Sequence, residues 1–250
     1  MRREVDKTVV IQGKNRNSGL LLLGVIPARG GSKGIKKKSL RKVLNRPLIS
    51  YTIEHALTYK EIYRTIVTTD SPEIAEVAGQ WGAEVPFIRP GELAQDNTPM
   101  LDALKHALIE CERLYCLTFN GVVLFDPTSP VRKKADIRKM IRIFLDRNPD
   151  LVIAAARCKR NPHFHMLKIN KSGYAQSASR GRYTCRQDAP AVFDITNTCW
   201  IFSRRAVLRR WRMPRKTIMY EVNSFYVDID QEEDLRFFEY FLKSRGQREK

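Results

Sequence analysis

From Leu20 to Arg147 the chain alternates short apolar runs with helical patterns, and this alternation narrows the possible folds more than any single motif. Apolar runs suited to buried strands cover Leu20–Ile26, Arg64–Thr69, Glu84–Ile88, Val122–Phe125 and Leu151–Ala155. Helical patterns fall between them, near Pro47–Tyr59, Pro72–Trp81, Met100–Cys116 and Lys133–Arg147. Strands joined through helices pair in parallel, because each connection must cross the sheet. One helix carries a clear start signal. Ser71 can cap its free N–H groups, and Pro72 suits the first helical position. The pattern predicts an α/β fold with a mostly parallel central sheet covered by helices. A last strand is expected at Phe225–Ile229, leading into a helix over Glu232–Leu242.

The rhythm stops after Ala156. Residues 157–190 contain Pro162, Gly173, Gly181 and Pro190 with only short apolar runs, which reads as an inserted arm or hairpin. Residues 1–18 are polar and basic without periodicity and read as a mobile tail, leaving 19–250 as the folded domain. No apolar run approaches the length of a transmembrane helix. The charged start, Met1–Lys7, is followed by no signal-peptide core. Five scattered cysteines (Cys111, Cys116, Cys158, Cys185 and Cys199) form no CxxC pair. That argues against a zinc site and for reduced thiols in the cytoplasm.

Ligands of parallel sheets lie beyond the carboxyl ends of the strands. The first strand runs into Ala28-Arg29-Gly30-Gly31-Ser32-Lys33-Gly34. Glycines allow close backbone approach, and successive N–H groups form an anion nest. Arg29, Lys33 and Lys36 to Lys38 add full charges, so the loop suits the polyphosphate of a nucleoside triphosphate. It matches neither a Walker A loop nor a dinucleotide fingerprint.

Asp228 and Asp230, two apart on the expected strand, would share a face. Paired carboxylates repel unless a cation lies between them, and Mg²⁺ takes one or two carboxylates plus phosphate oxygens and water. A plainer alternative is a turn in which Asp230 caps the next helix. In Asp126-Pro127-Thr128-Ser129-Pro130-Val131-Arg132 the prolines fix a loop whose hydroxyls could meet a sugar or phosphate, although a rigid turn and helix cap explains it equally. Arg186 and Gln187 suit the carboxylate and hydroxyls of an acidic sugar. His163 and His165 lack a third ligand and read as surface or interface residues, and His106 as structural.

The net charge is +18, concentrated in residues 1–50 and 180–216. No zinc finger, RNP-type aromatic motif or basic zipper accompanies these blocks. They read as steering acidic small molecules, with neither nucleic acid nor membrane as partner.

Taken together, I-P-A-R-G-G-S-K-G-I at 26–35, R-P-x-E-L-A at 89–94, P-T-S-P-x-R at 127–132, R-Q-x-x-P at 186–190 and D-I-D-x-x-x-D at 228–234 resemble the acylneuraminate (CMP-sialic-acid-type) cytidylyltransferases. The resemblance runs from about Leu20 to Leu242. It implies a three-layer Rossmann-like nucleotidyltransferase domain that transfers CMP from CTP to a nine-carbon acid sugar and releases pyrophosphate. An eight-carbon acid sugar (3-deoxy-manno-octulosonate) is the alternative acceptor. By the same resemblance, Arg29, Lys33 and Lys38 meet the triphosphate, and Ala28, Gly30, Gly31 and Ser32 line the nest. Arg89 lies near the cytidine. Asp228 and Asp230 hold Mg²⁺, with Mn²⁺ as a substitute. Asp126, Thr128, Ser129, Arg186 and Gln187 lie on the sugar side, and Arg29, Lys33, Asp228 and Asp230 form the catalytic set. The 157–190 arm implies a homodimer, or a dimer of dimers. Asp126 replaces a frequent glutamine, Ser39 a common asparagine, Thr196-Asn197 a frequent Asn-Gly, and Met100 a serine. Asp126, together with Arg160-Asn161-Pro162 and Arg186-Gln187-Asp188-Ala189-Pro190, most resembles the CMP-legionaminic acid synthase branch.

Overall fold

The computed structural model describes residues 19–31, 34–179, 181–185 and 187–248. The expected tail at 1–18, and the site residues Ser32, Lys33 and Arg186, lie outside these. The elements in chain order are β1 (Leu22–Pro27), β2 (Lys42–Val43), β3 (Arg46–Pro47), α1 (Leu48–Leu57), β4 (Ile62–Thr68), α2 (Pro72–Gln80), α3 (Met100–Tyr115), β5 (Gly121–Leu124), α4 (Lys134–Arg147), β6 (Leu151–Arg157), β7 (Leu167–Ile169), β8 (Ala175–Ser177), β9 (Phe193–Ser203), α5 (Arg204–Leu208), β10 (Thr217–Glu221) and α6 (Glu232–Arg248). Ser71 caps α2 as expected, its Oγ accepting from the Ile74 N–H at 3.4 Å.

The main sheet has the order β10-β6-β9-β5-β1-β4. β1 pairs in parallel with β4 and β5, and β10 with β6, while β9 runs antiparallel to β5 and β6. Side chains alternate between the two faces, as strand geometry requires. Leu22, Ile26, Val123 and Ile201 pack with α1, α2 and α4, whereas Leu23, Val25, Val122 and Trp200 pack with α3 and α5. This produces three layers, helices on both faces of one sheet.

Two expected strands are absent. Glu84–Ile88 makes a single parallel bridge, Ile66 to Glu84, because Pro86 has no N–H to continue the ladder. Phe225–Ile229 is irregular. Its sheet position is taken by β10, after which the chain crosses back over the strand ends toward β1. Ile229 donates one backbone bond to the Thr128 carbonyl at 2.8 Å. A small cluster of Ile35, Val43, Leu48, Val131, Ile229, Leu235 and Phe238 anchors this crossing. Burying Ile35 and Ile229, both almost fully inaccessible, stabilises the junction by about 1.5–3 kcal/mol each. Within the 157–190 segment, β7 and β8 form a separate antiparallel hairpin.

Candidate active site

That small apolar cluster joins two segments far apart in sequence. Ile35 follows the glycine loop, and Ile229 lies between Asp228 and Asp230. The result is a cavity of about 670 Å³ at the carboxyl ends of β1, β4 and β5. Ala28, Arg29, Lys38, Arg89, Asp126, Thr128 and Asp230 line it, with Gly34, Ser39, Asp96, Met100 and Asn197 between them. Of the residues singled out in the sequence, Gly30 and Gly31 belong to the adjoining loop. Ser129 and Asp228 sit behind the wall. Gln187, exposed in the arm, does not reach the cavity of its own chain.

The glycine loop is fixed at its root. Ala28 donates to the Thr68 carbonyl at 3.0 Å, and the Gly30 N–H donates to Asp70 Oδ1 at 2.9 Å. Asp70 also faces Arg89, at 3.7 Å. The Arg89 side chain is 4% exposed and its Nε has no hydrogen-bond partner, a buried donor in the cavity wall. Burial lowers its pKa, with Asp70 opposing that shift. Gly34 passes so close to the Asp230 carbonyl that a Cβ there would overlap the oxygen. Only glycine lets the two segments meet this way.

Lys38 bridges the same junction. Its ammonium donates to the Ile229 carbonyl at 2.7 Å and to Asp230 Oδ1 at 2.9 Å. Arg29 pairs with Asp96 at 2.5 Å across the cavity. Asp230 is largely exposed, whereas Asp228 turns inward and accepts from the Ser129 hydroxyl. Burial, then the charges of Asp126 and Asp230, push the Asp228 carboxyl up to about 6, against the pull of Arg132. The alternative reading, Asp230 as a helix cap, is not seen: Asp230 Oδ1 pairs with Lys38, and Asp234 in the first turn of α6 reaches back to accept from the Asp230 and Gln231 N–H groups at 2.9 Å.

Arg132 underlies the whole wall. Its buried guanidinium donates to the Thr198 carbonyl at 2.5 Å, to Thr52 Oγ1 at 3.2 Å and to the Asp126 carbonyl. Burial pushes its pKa down to about 10. The sequence displayed Arg132 at the end of a proline-fixed motif and Asp70 just before a helix cap, but neither spacing revealed these bonds. Asp96 sits in a polar loop and gave no signal.

A parallel sheet with a glycine-rich turn, cations and carboxylates gathered at one end defines a nucleotidyltransferase. A family model described as cytidylyltransferase matches residues 23–240, and the chain belongs to that family. It is 33% identical over 229 residues to the post-translational flagellin modification protein B of Campylobacter coli, covering 90% of this chain and 96% of that protein. It is 34% identical, with the same coverage, to the CMP-N,N'-diacetyllegionaminic acid synthase of Campylobacter jejuni. Among solved structures, the CMP:2-keto-3-deoxy-manno-octonic acid synthetase complexed with CTP superposes with a TM-score of 0.69 at 15% identity, covering 90% of this chain and 99% of that one. That likeness establishes a shared Rossmann-like fold.

Proposed function

We propose that this cytidylyltransferase transfers CMP from CTP to the anomeric hydroxyl of a nine-carbon 2-keto acid sugar of the sialic or legionaminic type. The carrying observation is the single cavity bounded by Arg29, Lys38, Arg89, Asp126 and Asp230. It gathers cations suited to a triphosphate and carboxylates in one space, with Lys38 and Asp230 in direct contact. Legionaminic acid is the favoured sugar, given the Campylobacter jejuni relative and Asp126.

In this reading Arg29 and Lys38 hold the phosphates and the glycine loop sets their position, while Arg89 and its unpartnered Nε face the nucleoside. The sugar hydroxyl attacks the α-phosphorus, the bond to the β-phosphate bridging oxygen breaks, and pyrophosphate leaves. A carboxylate of the Asp126, Asp228 and Asp230 group accepts the hydroxyl proton. Charge growing on the departing oxygen is met by Lys38 and Arg29.

Asp228 and Asp230 would hold Mg²⁺, or Mn²⁺ in its place. The donors are all oxygen, as a hard cation requires, and burial, with the Asp126 and Asp230 charges behind it, already disfavours an uncompensated negative charge on Asp228. Magnesium takes one or two carboxylates and completes its shell with phosphate oxygens and water, so these two aspartates would suffice. When bound, the ion would supply charge neutralisation for the phosphates. No helix among the described residues is long and apolar enough to cross a membrane. Free cysteines and a CTP substrate fit the cytoplasm.

The β7–β8 hairpin would pack on a second copy and carry Gln187 toward the partner's cavity. Leu167, Ile169 and Tyr174 are each more than 70% exposed on it, an apolar face that calls for cover. Light scattering should find a dimer, and Leu167→Asp with Ile169→Asp should give monomers. A monomeric wild type overturns the arm assignment. The test of the activity is pyrophosphate release from CTP with sialic, legionaminic, pseudaminic and octulosonic acids in turn. Turnover with a nine-carbon sugar is expected. Turnover with octulosonate alone, or with none, overturns the reading.

A further inference from the structure

A second concave site lies at the opposite end of the sheet. Residues 204–216 carry seven Arg and Lys and no acid, a concentration that CTP chemistry leaves unexplained. Part of this segment lines a cleft of about 520 Å³ at the amino ends of β5 and β6. Asn120, Asn148, Asp150, Arg205, Arg209 and Lys216 form its polar surface, with Phe119 and Leu208 as apolar walls.

Its cations fall into two kinds. Arg204 is locked by a two-point bond to Glu112, at 2.8 and 2.9 Å. Arg205 is locked to the buried Asp150 at 2.6 Å. These pairs build the walls. Arg209 and Lys216 have no carboxylate within ion-pair distance among the described residues. Arg209 instead lies over the Trp211 ring, 5.0 Å from its centroid, which orients a guanidinium without neutralising it. Asn120 accepts from the Leu21 N–H with its Oδ1, leaving its NH₂ as a donor.

We propose that this cleft binds a small phosphate-bearing anion. Among the described residues Arg204, Arg205, Arg209 and Lys216 face only two carboxylates, Glu112 and Asp150. The surplus of two positive charges matches a phosphate monoester, which carries about −1.5 to −2 near neutral pH. The volume falls in the range of small-ligand sites. Backbone dipoles do not create the site. The carboxyl end of α4 at Asn148 opposes an anion, and α5 is short and already capped by Ser203. Recognition therefore rests on Arg209 and Lys216, with the Asn120 amide adding direction.

The phosphate could belong to a free metabolite or a lipid headgroup, and the test separates these. Inorganic phosphate is titrated into the full chain at low salt while NMR follows the Trp211 indole and the side-chain amides of Asn120 and Asn148. These probes are remote from the cavity at the other end of the sheet. Saturable shifts with a Kd below about 1 mM are expected, weakening as salt rises. They should vanish in the double variant Arg209→Gln, Lys216→Gln, with pyrophosphate release from CTP unchanged. Flotation with phosphatidic acid vesicles, whose headgroup is a phosphate monoester, forms the second arm. Binding there alone, lost in the same variant, assigns the phosphate to a headgroup. No saturable binding in either arm, or binding that survives the double substitution, overturns the proposal.

Discussion

Arg132→Lys tests whether the cavity wall is held by direction or merely by charge. The guanidinium reaches three acceptors that lie apart: the Thr198 carbonyl on β9, Thr52 on α1 and the Asp126 carbonyl after β5. A lysine keeps the charge but places all its donors on one nitrogen, so about two acceptors lose their partner. A buried acceptor left unpaired costs about 1–3 kcal/mol, which gives roughly 4 kcal/mol for two. At about 2–4 °C per kcal/mol for a chain of this size, Tm should fall by roughly 10 °C. The Asp126 carbonyl would also lose its anchor, and with it the Asp126–Thr128 wall. Displacement on the scale of an ångström costs catalysis up to about 100-fold, so kcat/KM for CTP should drop by about 10–100-fold. Thermal unfolding and a pyrophosphate-release assay measure both. A lysine variant within about 2 °C of wild type and with unchanged kcat/KM would show that a buried positive charge suffices.

Asp230→Ala removes a largely exposed carboxylate, so stability should change by no more than about 0.5 kcal/mol while CTP-dependent turnover disappears; near-normal turnover refutes the metal assignment. Gly34→Ala must push the glycine loop off the Asp230 carbonyl, at about 1–3 kcal/mol of stability and a raised KM for CTP. Gly79→Ala, on α2 with open space around its Cβ and outside the cavity, is the control, and equal effects would count against the close approach. His55 is held neutral, chiefly by burial and then by the Arg132 charge, its pKa lowered to about 4. The unfolded chain takes up that proton first, so the contribution is complete above pH 6.5 and is lost toward pH 4, about 3 kcal/mol in all. Asp228, pushed up to about 6, works in the opposite sense over the same range, so the informative quantity is the wild-type minus His55→Gln difference in Tm against pH. A flat difference refutes it.

The parts of the fold that could be read in the sequence are those fixed by local chemistry. β1, β4, β5 and β6 appear as apolar runs, and α2 announces itself through Ser71 and Pro72. Glu84–Ile88 misleads because its apolar residues still pack on the sheet, through Val85 and Phe87, while Pro86 denies it a ladder. β9 went unseen just past the 157–190 arm, although Phe193, Ile195, Thr196, Thr198, Trp200 and Ile201 carry strong strand preference. The glycine loop and the aspartate pair were visible because close approach and paired charge demand particular residue types. What could not be read was long-range. Ser129 resembles a sugar-facing hydroxyl, yet the crossing of Asp228 over the strand ends turns it into a donor to that carboxylate. Nothing within seven residues of Ser129 reports that crossing.

The cavity's cations are not waiting unpaired for a ligand, and this bears on which nucleotide is retained. Arg29 holds Asp96 at 2.5 Å, Lys38 holds Asp230 at 2.9 Å, and Asp70 takes both the Gly30 N–H and one side of Arg89. On the proposed reading, a phosphate enters by exchange for a carboxylate. Partly exposed ion pairs such as these are worth no more than about 1 kcal/mol each. A hydrogen bond to a charged phosphate contributes about 1.5–3 kcal/mol. Each exchange is therefore mildly favourable, and the total grows with the number of phosphates that can take part. A triphosphate can engage Arg29 and Lys38 together, whereas a monophosphate displaces one carboxylate and leaves the others closed. CTP should then bind at least about 10-fold more tightly than CMP, a gap of about 1.4 kcal/mol, and a CMP-linked product should leave readily. Asp96→Asn, which removes the carboxylate that both nucleotides must displace from Arg29, should tighten CTP by up to about 1 kcal/mol and CMP by no more than that, so the gap does not narrow. Competition assays with the two nucleotides measure it, and equal affinities in the wild type would refute the exchange.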